Sequence, residues 1–500
     1  MSPDSPASSG PRARGRAPLR ISSLGLAVAL LLVAGALTGQ ASAAKGGLEL
    51  GIGDATFHSR DAAVRDMSLD RTAQAGADIV TVETEWRGIA SAQPANPTNP
   101  ADPAYDWSSL DATVRAATSR GLQVLLVIHR APDWAEGANP PAGVREGTWR
   151  PSPSKLREFA TAIATRYSGS FPDPALGGAP LPSVHLWQVW AEPNLAQGLW
   201  PQSERRRGKV FPASPGRYRK LLDAGYKAIK GVSRQNTVIA AGTGPFGDYN
   251  AKPARIAPLR FWQLVFCLRG KKLHKGRCPG PRPRFDVLAH NPLSGIAPLS
   301  GLQTTGAPWT DARKMGGGPF DVVVPDMSKL RRLLRKARAR GTIRTPRRAP
   351  LWATELLWVT DPPDSRGLAP GLQANYFADA LYLLWSQGVS AVNWVGIVDP
   401  SAGSSDLASG LYFADWTAKP ALSAYRFPFV ALSKKGKVKV WGKAPSAGTV
   451  EIQRQDGGGW TTAKSLSTGA SNIFTGNVPG GGGALRAVSG AETSLSRQPR

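Results

Sequence analysis

The chain has 500 residues, 41% of them apolar, and carries 62 lysines and arginines against 35 aspartates and glutamates, a formal charge of +27. That length and apolar content leave room for one large barrel and a small accessory domain. Two cysteines with only His274 beside them supply neither a zinc ligand set nor a case for thiol catalysis. Without a recognisable nucleic-acid motif, the positive charge does not argue for nucleic-acid binding.

The first segment, Met1 to Ala44, reads as a secretory signal outside the fold. Arg12, Arg14, Arg16 and Arg20 precede the apolar run Ile21 to Leu37, and Ala41-Ser42-Ala43 offers a small-residue cleavage site. The competing reading is a single membrane anchor, because an apolar stretch of about 18 residues borders on spanning length. No later segment is apolar for long enough to span a bilayer. A secreted or cell-surface protein is therefore expected.

From residue 45 to about 429, apolar runs alternate with helical stretches, the pattern that builds a parallel sheet. Eight strands are expected: Leu48 to Gly53, Asp78 to Glu85, Leu122 to His129, Val184 to Glu192, Thr237 to Gly242, Phe285 to His290, Leu351 to Glu355 and Ala391 to Gly396. Helices are expected over Leu110 to Arg120, Ser154 to Tyr167, Pro215 to Lys230, Met327 to Arg340 and Gly371 to Gln387. Eight strand–helix units argue for an α/β fold closed as a (β/α)8 TIM barrel rather than an open doubly wound sheet.

Residues 430–490 change to short alternating runs with glycine-rich turns, which reads as a small β-sandwich-like domain. Trp441 and Trp460 are its only candidates for a glycan-binding surface, and a packing module is the other reading. Residues 491–500 are expected to be a loose tail. Cys267 and Cys278 flank a basic loop, and in an oxidising compartment their spacing suggests a disulfide. Basic clusters at Arg205-Arg206-Arg207, Arg269 to Lys275 and Lys329 to Arg348 suit anionic cell-wall polymers. For the last of these, Leu330, Leu333 and Leu334 beside Arg331, Arg332 and Arg335 fit the solvated face of one amphipathic helix.

The chemistry centres on two runs. Leu186-Trp187-Gln188-Val189-Trp190-Ala191-Glu192-Pro193-Asn194 is an apolar, aromatic strand that ends on a carboxylate, and Leu351-Trp352-Ala353-Thr354-Glu355-Leu356-Leu357-Trp358 repeats the design. Barrel enzymes place their chemistry at the carboxyl ends of strands, tryptophans suit stacking on sugar rings, and paired carboxylates are the standard apparatus of glycosidases. Glu192 and Glu355 are the catalytic candidates. Trp190 and Trp187 are candidates for an apolar wall beside Glu192. His129, Trp134 and His290 lie near other strand ends and are further candidates for contacting substrate. Asn194 either hydrogen-bonds a substrate hydroxyl or shapes the turn after Pro193. Glu83 and Glu85 share one face of the second strand, where one of them lines the site or both form structural ion pairs.

Trp190-Ala191-Glu192-Pro193-Asn194 resembles the Asn-Glu-Pro motif of clan-A glycoside hydrolases, and Trp352-Ala353-Thr354-Glu355 resembles their nucleophile strand. The likeness runs from about Leu48 to Phe429 and is nearest to β-xylosidase-like and cellulase-like secreted actinobacterial members. It implies a retaining glycosidase in which Glu192 is the acid/base and Glu355 the nucleophile, with Trp394 flooring the sugar pocket and no metal or organic cofactor. Three positions depart from the clan pattern: Ala191 replaces an asparagine that touches the sugar 2-hydroxyl, Thr81 replaces an arginine near the nucleophile, and His290-Asn291-Pro292 stands where a tyrosine often follows. Those departures keep a second class open, a wall-associated carbohydrate-binding barrel with reduced or lost catalysis.

Overall fold

A computed structural model describes residues 47–250, 253–277, 279–294, 306–401, 404 and 406–500. The signal expected over Met1 to Ala44 lies outside the described residues. Among those described, no helix is long and apolar enough to cross a membrane.

Eight parallel strands close into a barrel in sequence order. They are β1 (Glu49–Gly53), β2 (Ile79–Glu85), β3 (Gln123–His129), β4 (Leu186–Val189), β5 (Thr237–Ala240), β6 (Val287–His290), β7 (Leu351–Leu356) and β8 (Val389–Val395). Closure comes from β8 pairing with β1, from Glu49 opposite Ala391 through Gly53 opposite Val395. Each strand leads into a helix: α1 (Ala62–Gln74), α2 (Ser108–Thr118), α3 (Pro153–Arg166), α4 (Ser214–Val232), α5 (Pro258–Val265), α6 (Met327–Ala339), α7 (Pro370–Ser386) and α8 (Pro420–Arg426). Proline sits in the first turn of five of these helices, where its missing N–H has no bond to lose.

The strands are apolar on both faces because both faces are covered. On β3, Val124, Leu126 and Ile128 pack outward against the helices, while Leu125 and Val127 face inward with Ile79, Leu186, Ile239, Ala289, Trp352 and Ala391. Two residues further along several strands, alternation places a buried polar layer above that plug: Thr81, Gln188, Asn291, Thr354 and Asn393. Asn393 donates to the Thr81 hydroxyl at 2.7 Å, and Gly51 leaves the room, since a Cβ there would stand 2.2 Å from Asn393 Oδ1. The barrel interior is thus apolar at the bottom and polar toward the carboxyl ends of the strands, where Glu83 and His129 come next. On α6, Leu330, Leu333, Leu334 and Ala337 are buried and the intervening arginines exposed, so the basic cluster there is the helix's solvent face.

Beyond α8 two antiparallel sheets face one another. One holds β9 (Phe429–Lys434), β10 (Lys437–Lys443) and β13 (Ile473–Pro479); the other holds β11 (Thr449–Asp456), β12 (Gly459–Ser467), β14 (Leu485–Ser489) and β15 (Glu492–Thr493). Phe429, Val440, Ile452, Phe474 and Leu485 fill the space between them. Trp441 is buried against the barrel, its ring 5.7 Å from Trp385 and 5.8 Å from Tyr382 of α7, and Trp460 lies under the Arg486 guanidinium. Trp441 therefore docks the sandwich on the barrel.

The last ten residues do not form the loose tail that their composition suggests. Glu492 and Thr493 pair with β14, and the Arg497 guanidinium reaches Asp379 of α7 at 2.9 Å, both side chains almost wholly buried. Arg500 joins the same carboxylate at 3.0 Å. A buried aspartate on a barrel helix holds this end, a long-range partner that local composition does not reveal.

Candidate active site

Glu192 was expected at the end of a strand, but β4 stops at Val189 and the glutamate lies on the turn beyond it. Trp190 and Glu192 both take left-handed backbone angles, with φ of 75° and 38°. Such angles cost non-glycine residues roughly 1–3 kcal/mol each and persist only where the surroundings impose them. Here the Trp190 amide donates to Ile128 O at 2.8 Å, its indole N–H to Gly198 O at 2.8 Å, and the Glu192 amide to Gly242 O at 3.0 Å. Gly242 also leaves room for the side chains beside the pair, because a Cβ on it would stand 2.3 Å from Asn291 Oδ1 and 2.4 Å from Thr354 Oγ1.

Glu355 reaches the barrel mouth through a bulge. Ala353 is opposite Val392 and Leu356 opposite Trp394, so three steps on β7 face two on β8. Ala353 and Leu356 pack outward, leaving Thr354 and Glu355 as two successive residues that both line the internal cavity. An extra residue re-aims a side chain that strict alternation would turn away. The cavity holds about 670 Å³, and Glu83, Glu85, His58 and Trp394 line it with Glu355.

Asn291 links the pair. Its amide donates to Glu192 Oε1 at 3.1 Å and also lowers the pKa of Glu355, while its oxygen accepts from Thr354 Oγ1 at 2.8 Å. Burial raises the pKa of Glu192, which the Glu83 charge adds to, while hydrogen bonds from Asn291 and Gln197 pull it back. Glu355 is pushed well above the ordinary carboxylate range, first by burial, then by the charges of Glu192 and Glu83. Because the Glu192 charge raises Glu355, the two carboxylates titrate as a unit, and the last proton on the pair is held well above the usual range.

The remaining candidates divide. Trp394 borders the cavity but is wholly buried, its indole N–H donated to Ser409 O at 2.9 Å and its ring packed between Trp358 and Phe377, so it supports the strand end as a core residue. His129 lies one contact behind, with Nε2 2.9 Å from Glu83 Oε2. Both readings of the second strand hold together: Glu83 and Glu85 line the cavity, and each has a cationic or imidazole partner, Arg130 standing 4.0 Å from Glu85.

Five candidates do not reach it. Asn194 gives its amide to Gly244 O and Ile256 O, both at 3.0 Å, and accepts from the Gly244 amide at 2.8 Å, so it staples the loops after β4 and β5 instead of meeting substrate. Trp190 is buried with its N–H spent on Gly198, and Trp187 likewise donates inward to Val184 O. His290 pairs with Ala353 on the outward face of β6; its Nε2–H donates to Val322 O at 2.9 Å and its Nδ1 accepts from Thr243 at 2.8 Å. Burial drops its pKa to about 4, so the imidazole is neutral. Trp134 donates to Ala90 O at 2.9 Å and packs edge-on against Trp86, away from the cavity.

The alternation that turns His290 outward turns Asn291 inward, and that signal would have found Asn291. Gln197, on an irregular loop, has no such signature. At the other departures, Ala191 packs beside the barrel's inner cluster and Thr81 holds the Asn393 amide.

No protein-family model matches the chain, and no curated protein is detectably similar in sequence. Among solved structures, a family 39 glycoside hydrolase from the gut symbiont Bacteroides cellulosilyticus WH2 superposes with a TM-score of 0.53 at 16% identity, covering 87% of this chain and 81% of that one. A GH30 endoxylanase from Clostridium papyrosolvens C71 gives 0.46 at 12% identity over 87% and 94%. A glucosidase from Croceicoccus marinus gives 0.45 at 14% identity over 82% and 76%. The first of these likenesses shows that the fold is the (β/α)8 barrel of a glycoside hydrolase structure.

Proposed function

We propose that this protein is a secreted retaining glycoside hydrolase. The observation that carries the reading is that the turn after β4 and the bulge of β7 bring Glu192 and Glu355 to one barrel mouth, where Asn291 bonds Glu192 and Thr354 and the Glu192 charge raises Glu355. Carboxylates about 5 Å apart across a glycosidic bond support double displacement. In the first step a Glu355 oxygen bonds to the anomeric carbon as the glycosidic bond breaks, and Glu192 gives its proton to the departing oxygen. In the second, Glu192 takes a proton from water, whose oxygen displaces Glu355 from the anomeric carbon. Both carboxyls then return to their starting states.

The neighbouring charges and burial suit this cycle, because one proton must stay on the pair at neutral pH and pass between roles as Glu355 is esterified. Export would place Cys267 and Cys278 where a disulfide forms, although that pairing lies outside the described residues. The second reading, a carbohydrate-binding barrel with reduced catalysis, draws on Ala191, which offers no hydrogen bond to a 2-hydroxyl. A panel of aryl glycosides and polysaccharides assayed with the parent and with Glu355→Gln separates them. Turnover that vanishes in the variant supports the enzyme; glycan binding without any turnover supports the second reading.

A further inference from the structure

A second groove, of about 1270 Å³, lies on the loop between β4 and α4, the segment that also carries Glu192. Its lip is a hairpin, Ser203–Arg206 paired with Lys209–Pro212. Arg206, Arg207, Lys209, Lys220 and Arg277 line it together with Arg217, and the groove's one carboxylate, Glu204, meets both Arg206 and Arg217 at 2.9 Å. The first turn of the 19-residue helix α4 forms part of the floor and adds the positive end of its dipole.

Arg219 is the feature that surface charge alone does not explain. It is 5% exposed and lines the groove, yet among the described residues no carboxylate meets it. Its Nη atoms hold the carbonyls of Leu264, Val265 and Pro279, and its buried Nε has no partner. Burial alone acts on its pKa, downward, with no opposing charge to restore it. An ion buried without a counter-ion is unfavourable, and an anion seated in the groove would compensate it.

One further side chain narrows the chemistry of that anion. Phe211 projects from the hairpin 46% exposed, and Pro153, Pro212 and Pro279 add apolar surface beside it. Guanidinium forks match carboxylates, and an exposed ring matches the face of a pyranose. We infer that this groove binds an acidic polysaccharide, its carboxylates on the arginines and a sugar ring on Phe211. The choice of a glycan over a nucleic acid rests on the reaction proposed at Glu192 and Glu355, since the same loop would carry one polymer past both places.

The test is direct binding of fluorescent polygalacturonate to the mature protein, with neutral dextran and single-stranded oligo(dT) as comparisons. Charge reversal of the hairpin, Arg206→Glu with Arg207→Glu and Lys209→Glu, should weaken polygalacturonate binding at least about tenfold, and Phe211→Ala about threefold or more. Reversal on the outer face of α6, Arg332→Glu with Arg335→Glu, should leave it unchanged. Cleavage of any small aryl glycoside should be the same in all of them, so loss of turnover in the parent would count against the glycosidase reading and loss of binding against this one. Equal weakening by the α6 variant, oligo(dT) binding as tight as polygalacturonate, or unaltered affinity in the hairpin and Phe211 variants would overturn the inference.

Discussion

Asn291 donates its side-chain amide to Glu192 at 3.1 Å while its oxygen accepts the Thr354 hydroxyl at 2.8 Å, so one residue spans β4, β6 and β7 at the barrel mouth. Hydrogen bonds to a carboxylate favour its charged form, and Asn291 lowers both glutamates. Asn291→Ala should therefore raise both pKa values and move the acid limb of the kcat/KM profile to higher pH. Activity at its new optimum should fall by about 10²-fold, as for other lost transition-state hydrogen bonds. An unshifted acid limb would mean that Asn291 does not act on the pair.

Glu83 acts in the opposite direction, since its charge raises both members. Replacing it with glutamine removes a negative neighbour and should shift the alkaline limb, where the shared proton is lost, to lower pH. The contact with His129 Nε2 is altered in the same variant, so His129→Gln is the control: it keeps the Glu83 carboxyl group and should leave the alkaline limb nearly in place. A matching shift in both variants would assign the effect to packing.

A chain ending at residue 490 should lose stability as well as a strand, because Asp379 would remain buried without Arg497 and Arg500. Breaking a buried ion pair by removing one side costs on the order of 3–5 kcal/mol. Thermal unfolding of the shortened protein should begin well below that of the parent; an unchanged Tm would restore the idea of a loose tail.

Cys267 is buried at the base of a short hairpin, Leu268–Arg269 with His274–Lys275. We expect the exported protein to show no reactive thiol when denatured without reductant and two after reduction. Reduction should loosen residues 268–277 and leave the barrel and its glutamates in place. Two thiols before reduction would contradict the pairing.

The barrel was legible because β3, β4 and β7 are apolar on both faces and proline marks helix starts. Glu192 and Glu355 stood out as a pair, because one such carboxylate alone is readily explained as leaving the core at a strand end, whereas two apolar, tryptophan-flanked runs ending alike point to a shared site. What alternation could not reveal was its interruption: the bulge that turns Glu355 inward and the left-handed turn that holds Glu192 depend on pairing with β8 and the loop after β5. Asn194 and Trp190 looked available for substrate because their neighbours in sequence are catalytic candidates, whereas their polar atoms are taken by backbone from Gly198, Gly244 and Ile256. The buried partner of Arg497 lies over a hundred positions away, beyond any local pattern.

The central claim is that Glu355 forms a bond to the sugar. Incubation with a set of activated 2-deoxy-2-fluoro glycosides, followed by peptide mass spectrometry, should place one glycosyl group on the peptide containing Glu355, with none on Glu355→Gln. A label on Glu83 or Glu192, or turnover by Glu355→Gln equal to the parent's, would contradict the account.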